Sequence, residues 1–219
     1  MMMLDRPIWA ALTGPQAHLA QGDARAWRFD PAVLPFAAGD AAALAALPAP
    51  GEAIMLFETA PPDCPAGLVE EARAEGVQMV ATRPVAAPAD PRIEPLGPAE
   101  VAEMVALADL TKPGPIGPRC LELGGFWGIR LGGRIAAMAG ERLRLPGHAE
   151  VSGVCTHPDH RGQGLAGLLT RHVAALIQAR GETPFLHAYA GNTGAIGVYE
   201  RLGFAIARRM QGRVYRRPT

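Results

Sequence analysis

The 219-residue sequence predicts a mixed α/β fold, with a mostly antiparallel central sheet and a crossover helix late in the chain. Two glycine-containing turns, Gly132-Gly133 and Pro146-Gly147, separate three strand-like segments, and tight turns of this kind join antiparallel strands. A long stripe of apolar side chains at helical spacing then runs from Leu165 to Ile177. Hairpins followed by a helix and a further strand indicate one sheet covered by helices.

Composition and charge exclude several classes of protein. Hydrophobic residues make up 49% of the chain and charged residues 19%, which is typical of a globular protein rather than a disordered one. Lys+Arg and Asp+Glu are both 21, so the charge balance gives no general case for a nucleic acid or a membrane surface as partner. The only lysine, Lys112, precedes proline, whereas a P-loop needs lysine followed by Ser or Thr, so a P-loop NTPase is excluded.

The cysteines and the lengths of the apolar runs predict the cellular compartment of the protein. Cys64, Cys120 and Cys155 lie far apart and form neither a metal-binding pair nor a disulfide framework, which favours a reducing compartment. No apolar run reaches the roughly 18 residues that span a membrane, and the first residues do not resemble a signal peptide. We therefore expect a cytoplasmic protein without a metal site.

Prolines divide the predicted fold into two parts. Three of the nine residues 83–91 are proline, which predicts an extended linker. The junction gives a smaller N-terminal lobe over residues 1–90 and a larger domain over residues 91–219. In the lobe, local patterns predict a hairpin turning at 21–23, a helix at 41–47, a strand at 54–58, a helix at 68–76 and a strand at 77–82. This order indicates a small α/β layer.

The larger domain has a clearer pattern. A strand at 93–96 precedes a helix that begins near Pro98, and an irregular Pro/Gly segment covers residues 113–125. Strands are then predicted at 126–131, 134–145 and 150–156, followed by the long helix, a strand at 184–189, a short helix ending before Gly203, and two last strands at 204–210 and 213–217, which turn at Gln211-Gly212.

The segment after the strand at 150–156 carries the strongest chemical signal. Arg161, Gly162 and Gly164 form a loop, and the long helix begins at once. The first backbone N–H groups of a helix have no intrahelical partner and carry partial positive charge. Because glycine also lets the main chain wrap closely around an anion, the sequence predicts a phosphate or pyrophosphate site.

The same loop also matches the GxGxxG pattern of dinucleotide-binding proteins, from Gly162 to Gly167, with Glu182 as the candidate for the ribose-binding acid. In that motif the first glycine follows its strand almost directly, whereas residues 157–161 intervene here. The acid of that motif also ends the next strand, whereas Glu182 precedes it. This context disfavours a dinucleotide site.

Two blocks together resemble the GNAT superfamily of acetyl-CoA-dependent N-acetyltransferases. Residues 161–166, RGQGLA, resemble its Q/R-x-x-G-x-G/A loop. A second block resembles its N-x-x-A-x-x-x-Y-x-x-x-G-F signature through Asn192, Ala195, Tyr199, Gly203 and Phe204. The blocks follow the family's order, one helix and one strand apart. The resemblance covers residues 92–217 and implies a sheet of the acyl-CoA N-acyltransferase type, with residues 1–90 as an appended lobe, interpreted as a degenerate half-copy.

The resemblance implies roles for individual residues. The coenzyme pyrophosphate would lie on the loop, the pantetheine arm would pair with the strand edge at 154–156, and a backbone N–H of Val154 or Cys155 would stabilise the oxyanion. Tyr199 would protonate the leaving sulfur. The residues implied to contact the coenzyme are Val154, Cys155, Thr156, Arg161, Gly162, Gln163, Gly164, Leu165, Ala166, Gly167, Asn192 and Tyr199.

A general base is predicted among three carboxylates, because attack on a thioester needs a neutral amine. Glu150 opens a strand and matches an acidic position common in the family, so it is preferred, with Glu141 and Glu122 as the alternatives. His187 lies on a strand without an obvious partner.

We therefore expect transfer of acetyl from acetyl-CoA to an amine by direct attack in a ternary complex. The acceptor is a small-molecule or peptide amine, whose cleft would be lined by residues 113–125 and the N-terminal lobe. The alternative from another class is a non-catalytic acyl-CoA-binding or interaction module that keeps the cleft but lacks a competent base.

Overall fold

The computed structural model describes residues 3–219 and forms two sheets from that part of the chain. The strands are β1 (Ala20–Asp23), β2 (Ala26–Phe29), β3 (Ala37–Gly39), β4 (Ala53–Glu58), β5 (Val69–Ala81), β6 (Glu94–Leu96), β7 (Phe126–Leu131), β8 (Arg134–Leu145), β9 (His148–Thr156), β10 (Thr183–Tyr189) and β11 (Phe204–Arg216). The large sheet has the order β4-β11-β5-β10-β9-β8-β7-β6, and β1, β2 and β3 form a separate small sheet.

Helices cover the large sheet and complete the predicted fold class. They are α1 (Pro7–Leu12), α2 (Ala41–Leu44), α3 (Val101–Thr111), α4 (Leu165–Ala179) and α5 (Thr193–Arg201). The apolar stripe of α4 is buried in a core shared with the sheet and α5, including Leu169, Val173 and Ile177. β9 and β10 pair in parallel, whereas the other neighbouring strands of the large sheet are antiparallel. The mixed, mostly antiparallel α/β class is confirmed.

Residues 68–76 are not the helix that the sequence predicts. They lie mostly in β5, which pairs with β11 on one side and with β10 on the other. The first half of β5 is largely exposed, so it lacks the alternation of buried side chains that would have indicated a strand. Hydrogen bonding to two neighbouring strands decides the conformation here, over the local pattern.

The predicted turn at Gln211-Gly212 is also wrong, because residues 204–216 form the single strand β11. Gly212 serves close packing instead of a turn. A Cβ at this position would lie 3.3 Å from Cδ2 of Phe57 and 3.4 Å from the Cβ of Ala74. In the large sheet, β5, which comes from the N-terminal segment, lies between β11 and β10.

The N-terminal segment contributes two strands to the large sheet. β4 pairs with β11, and β5 lies between β11 and β10, so the sheet runs across the predicted junction at residue 91. The predicted hairpin forms from β1 and β2 but turns at residues 24–25. The helix predicted at 41–47 is the shorter α2, capped by the Asp40 side chain, which accepts a hydrogen bond from the N–H of Ala43. The division into 1–90 and 91–219 stays a prediction.

Candidate active site

A gap opens in the large sheet between β9 and β10. The two strands pair over three positions, from Thr183 opposite His148 to Phe185 opposite Glu150. Beyond Glu150 they diverge, which leaves one edge of β9 without a neighbouring strand. The gap opens into a cleft of about 1460 Å³. Such a strand edge offers backbone N–H and C=O groups to an extended ligand.

A β-bulge shapes the edge of β9 at the gap. Met138 pairs with Cys155 and Gly140 with Ser152, so Gly153 and Val154 together oppose Ala139. Gly153 has φ +63°, and a Cβ there would lie 2.9 Å from Cε1 of Phe126. A bulge changes the orientation of the residues next to it. Val154, Cys155 and Thr156 all line the cleft, and the buried hydroxyl Oγ1 of Thr156 has no hydrogen-bond partner within residues 3–219.

The loop after β9 presents unpaired amides to the cleft. Gly164 precedes α4 with φ +73°, a conformation that favours glycine, and no side chain caps the helix. Within residues 3–219, none of the backbone N–H groups of residues 162–167 donates a hydrogen bond. The exposed Arg161 beside them forms no ion pair in the same range. The structure therefore leaves these amides free to bind an anion, and residues 161–167 all line the cleft.

Helix α5 brings a buried phenol to the cleft. The side chain of Asn192 caps α5 by accepting a hydrogen bond from the N–H of Ala195 at 3.1 Å. Tyr199 lies near the end of the helix, is 8% exposed, lines the cleft and packs edge-on against Phe204. Burial raises the pKa of Tyr199 to about 12, and the nearby Cys155 adds to the shift. The phenol is therefore protonated at neutral pH and available as a proton donor.

Cys155, on β9, lines the cleft near Tyr199, but its environment disfavours a nucleophilic role. Its side chain is buried, and burial raises the pKa of the thiol to about 11. Because the thiolate is the reactive form, this cysteine is a packed, unreactive side chain at neutral pH.

Glu150 has no exposed surface, and every acceptor position of its carboxylate is used. Oε2 accepts from Nε of Arg142 at 3.0 Å and from the N–H of Leu143 at 3.3 Å. Oε1 accepts from Nη2 of Arg142 at 2.6 Å and lies 2.7 Å from Nδ1 of His187. Burial alone would raise the pKa of Glu150, but Arg142 and His187 outweigh it and lower it to about 2. The structure thus gives the preferred base no free position for a proton from the cleft.

The two alternative carboxylates lie outside the cleft. Glu141 is buried against Arg180, with two hydrogen bonds of 3.0 and 2.6 Å. Glu122 forms an exposed pair with Arg119. Neither side chain lines the cleft, so the structure brings neither of them to the loop or to Tyr199.

His187, like Arg142, is a cleft residue whose contacts sequence reasoning missed. Nδ1 faces Glu150, and Nε2 lies 3.0 Å from Nε2 of Gln78. The carbonyl oxygen of Gln78 accepts from Arg208, which fixes Gln78 as the donor to His187. The two partners come from β9 and β5, and Arg208, which orients Gln78, comes from β11, so no linear spacing could have indicated them.

The buried pair of Glu150 and Arg142 predicts a specific loss of acid stability. The folded-state pKa of about 2 lies below the ordinary 4.5, so this carboxylate stabilises the fold above pH 4.5, and its contribution is lost as the pH falls toward 2. We expect Glu150→Gln to lower the free energy of unfolding at pH 7 by about 3–5 kcal/mol, because it leaves Arg142 buried without a counter-charge. Denaturant unfolding of the wild type and of Glu150→Gln at pH 7, 4.5 and 3 measures this difference in the free energy of unfolding.

The difference between wild type and Glu150→Gln should narrow between pH 4.5 and pH 3. Glu122→Gln, which breaks an exposed ion pair, is the control and should leave the stability at pH 7 nearly unchanged. A constant difference across this pH range would contradict the ion-pair assignment.

The part of the chain that the structure describes shows neither a metal cluster nor a membrane span. No group of three or more His, Cys, Asp or Glu side chains among residues 3–219 could hold a metal ion. In the same range, none of the helices combines the length and the apolar character needed to cross a bilayer.

The opening between β9 and β10, the unpaired amides at the start of α4 and the tyrosine on α5 are the features that the resemblance of the two sequence blocks implies for an acyltransferase. Comparisons with known proteins agree with this resemblance. The model of the FR47-like protein family matches residues 126–213. A structure from Novosphingobium aromaticivorans, assigned to the GNAT family of acetyltransferases, is 45% identical, covers 100% of both chains and has a TM-score of 0.95. The chain belongs to the GNAT family of acetyltransferases.

More distant structures share the fold. A GCN5-related N-acetyltransferase from Kribbella flavida is 20% identical, with a TM-score of 0.64 over 100% of this chain and 97% of that one. A GCN5-related N-acetyltransferase-like protein from Streptococcus suis is 16% identical, with a TM-score of 0.54 over 90% and 82%. None of the curated proteins compared matches the chain significantly.

Proposed function

We propose that this protein is an N-acetyltransferase that moves acetyl from acetyl-CoA to an amine by direct attack in a ternary complex. The observation that carries the proposal is the unpaired edge of β9 beside the unpaired amides of residues 162–167. The two features suit the two halves of the coenzyme, an amide-bearing arm and a diphosphate.

The residues present fit the coenzyme. The amides of residues 162–167 and the free guanidinium of Arg161 would hold the pyrophosphate. The arm would add to β9 at residues 154–156, where the unpartnered Oγ1 of Thr156 offers a further hydrogen bond. Asn192 fixes the start of α5 and so positions Tyr199 relative to this arm.

The chemistry balances with groups that line the cleft. The lone pair of a neutral amine attacks the thioester carbon, a C–N bond forms, and the C–S bond then breaks. A backbone N–H at Val154 or Cys155, next to the bulge, stabilises the oxyanion. Tyr199 gives its proton to the departing sulfur, and the phenolate then regains a proton from water. With a pKa of about 12, the phenol is protonated across the neutral pH range.

We propose that Glu150 acts by position rather than as the direct base. Its carboxylate holds Arg142 and His187 on the wall of the cleft, and all of its acceptor positions are used there. The amine proton then leaves to water. Positive charges around a bound amine lower its pKa, which favours the neutral nucleophile without a dedicated carboxylate.

Release of free coenzyme A from acetyl-CoA, followed with a thiol reagent during incubation with a panel of amines, tests the function. We expect release that depends on the amine and a product that carries one acetyl group by mass. Calorimetry with coenzyme A accompanies it. Coenzyme A binding without turnover of any amine would favour the non-catalytic acyl-CoA-binding module. An absence of coenzyme A binding would contradict both the enzyme and the module.

A further inference from the structure

The charged side chains that line the cleft are almost all positive. Seven arginines and Lys112 line it, but Asp90 is the sole carboxylate among the described residues that do. Asp90 is engaged by Arg92 through hydrogen bonds of 3.0 and 2.7 Å. A polycationic acceptor would therefore find no free carboxylate to bind in this cleft.

The end of the cleft away from the coenzyme loop has an apolar wall with one fixed guanidinium. We call it the acceptor chamber, and it consists of Phe36, Met55, Phe57, Arg142 and His187, which all line the cleft. Phe36 and Met55 form a β-bridge, and the rings of Phe57 and His187 meet edge-on at 4.8 Å. The N-terminal segment supplies three of these side chains.

Arg142 is held rigidly and keeps one nitrogen free. Its Nε and Nη2 donate to Glu150, and its guanidinium stacks 5.1 Å from the centre of the Phe36 ring. Nη1 has no partner within residues 3–219, and the side chain is 11% exposed. A Cβ at Gly114, on the loop that also lines the cleft, would lie 3.3 Å from this Nη1. A donor fixed in this way binds an anionic oxygen at little cost in conformational entropy.

A second pair of arginines adds positive charge at the rim of the chamber. Arg73 and Arg213 are direct cross-strand partners on β5 and β11, an arrangement that like charges disfavour unless an anion is near. Glu70 is the carboxylate that both contact, and Nε of Arg213 lies 3.8 Å from it. Glu70 balances only one of the two guanidinium charges, so one net positive charge remains at this rim.

We propose that the acceptor is a small amine that carries a carboxylate, of the amino-acid type with an apolar side chain, an inference that rests on the function proposed above. The carboxylate binds Nη1 of Arg142 and is attracted by the rim pair Arg73 and Arg213. The apolar side chain lies against Phe36, Met55 and Phe57. Polyamines and amines without a carboxylate fit this chamber less well.

Four probes that differ in one feature test the acceptor class. They are phenylalanine, phenylalaninamide, phenylethylamine and spermidine, compared in acetyl-CoA turnover at one near-neutral pH, with each rate corrected for the fraction of the reacting amine that is neutral. We expect kcat/KM for phenylalanine to exceed that for the amide and for phenylethylamine by about 10-fold or more, since a hydrogen bond between charged groups contributes about 1.5–3 kcal/mol. Equal or faster turnover of phenylethylamine or spermidine overturns the proposal.

Two variants test the assigned residues. Arg142→Lys keeps a positive charge beside Glu150 but removes Nη1, and Arg213→Gln removes the rim charge. Each should raise KM for phenylalanine about 5-fold or more, and should raise KM for phenylethylamine much less, because that amine has no carboxylate to lose a partner. Arg134→Gln, at the exposed first residue of β8, is the matched control and should change neither KM. If Arg142→Lys fails to fold, Arg213→Gln decides, and an unchanged KM for phenylalanine there overturns the proposal.

Binding separates this inference from the proposed function. Calorimetry with coenzyme-A-saturated protein should show phenylalanine binding more tightly than phenylethylamine, even if no amine is acetylated. Failure of every amine to release coenzyme A would overturn the enzymatic function alone. Tighter binding of phenylethylamine than of phenylalanine would overturn the acceptor class alone.

Discussion

Tyr199→Phe is expected to lower kcat by about 10²–10⁴-fold while leaving the dissociation constant of acetyl-CoA within about 2-fold. The phenol lines the cleft, and burial raises its pKa to about 12, so it carries a proton throughout the neutral range. No hydrogen bond of the hydroxyl exists within residues 3–219, so its removal orphans no buried partner and should not unfold the protein. Steady-state kinetics and calorimetry together measure the two effects.

A second buried tyrosine supplies the control for Tyr199. Tyr215 is almost fully buried, and its hydroxyl donates to the carbonyl of Pro62 at 3.0 Å. Tyr215→Phe should cost about 1 kcal/mol of stability, from the lost hydrogen bond, and leave kcat unchanged. Equal kcat values for wild type and Tyr199→Phe would show that the leaving sulfur takes its proton from elsewhere.

The parts of the fold that the sequence predicts correctly are those whose signals are local. The hairpin turn at Gly132-Gly133 and the apolar stripe of α4 each determine their own segment, and both are found as predicted. The predictions for the segments of β5 and β11 are wrong because the conformation there depends on pairing between distant segments. One such pairing is that of Arg73 with Arg213. Local patterns carry little information about such pairings.

The candidate site divides in the same way. The loop from Arg161 and the cap at Asn192 are short motifs at helix starts, so sequence alone locates them. The contacts of Glu150 depend on where β8 and β10 lie in the sheet, and a carboxylate that looks free in sequence is fully engaged by Arg142 and His187. A residue's position in a motif therefore does not establish that its lone pairs are available.

Gly164→Glu is expected to weaken binding of coenzyme A on the order of 100-fold. The carboxylate would lie at the amides of residues 162–167, where it competes for the N–H groups proposed to hold the diphosphate. Losing two hydrogen bonds to a charged group, at about 1.5 kcal/mol each, corresponds to this factor. Calorimetry with coenzyme A measures it, and circular dichroism checks that α4 still forms.

The strain of a side chain at positive φ must be separated from the charge. Gly181, just past the other end of α4, has φ +78° and open space where a Cβ would lie, so Gly181→Glu adds the same strain and the same charge far from the loop. It should leave coenzyme A binding within about 2-fold of wild type. Pantetheine, which lacks the diphosphate, should bind wild type and Gly164→Glu equally, because the substitution acts on the amides at the helix start and not on the edge of β9. Loss of pantetheine binding together with coenzyme A binding would instead show that Gly164 supports the whole cleft, and the diphosphate would then need another site.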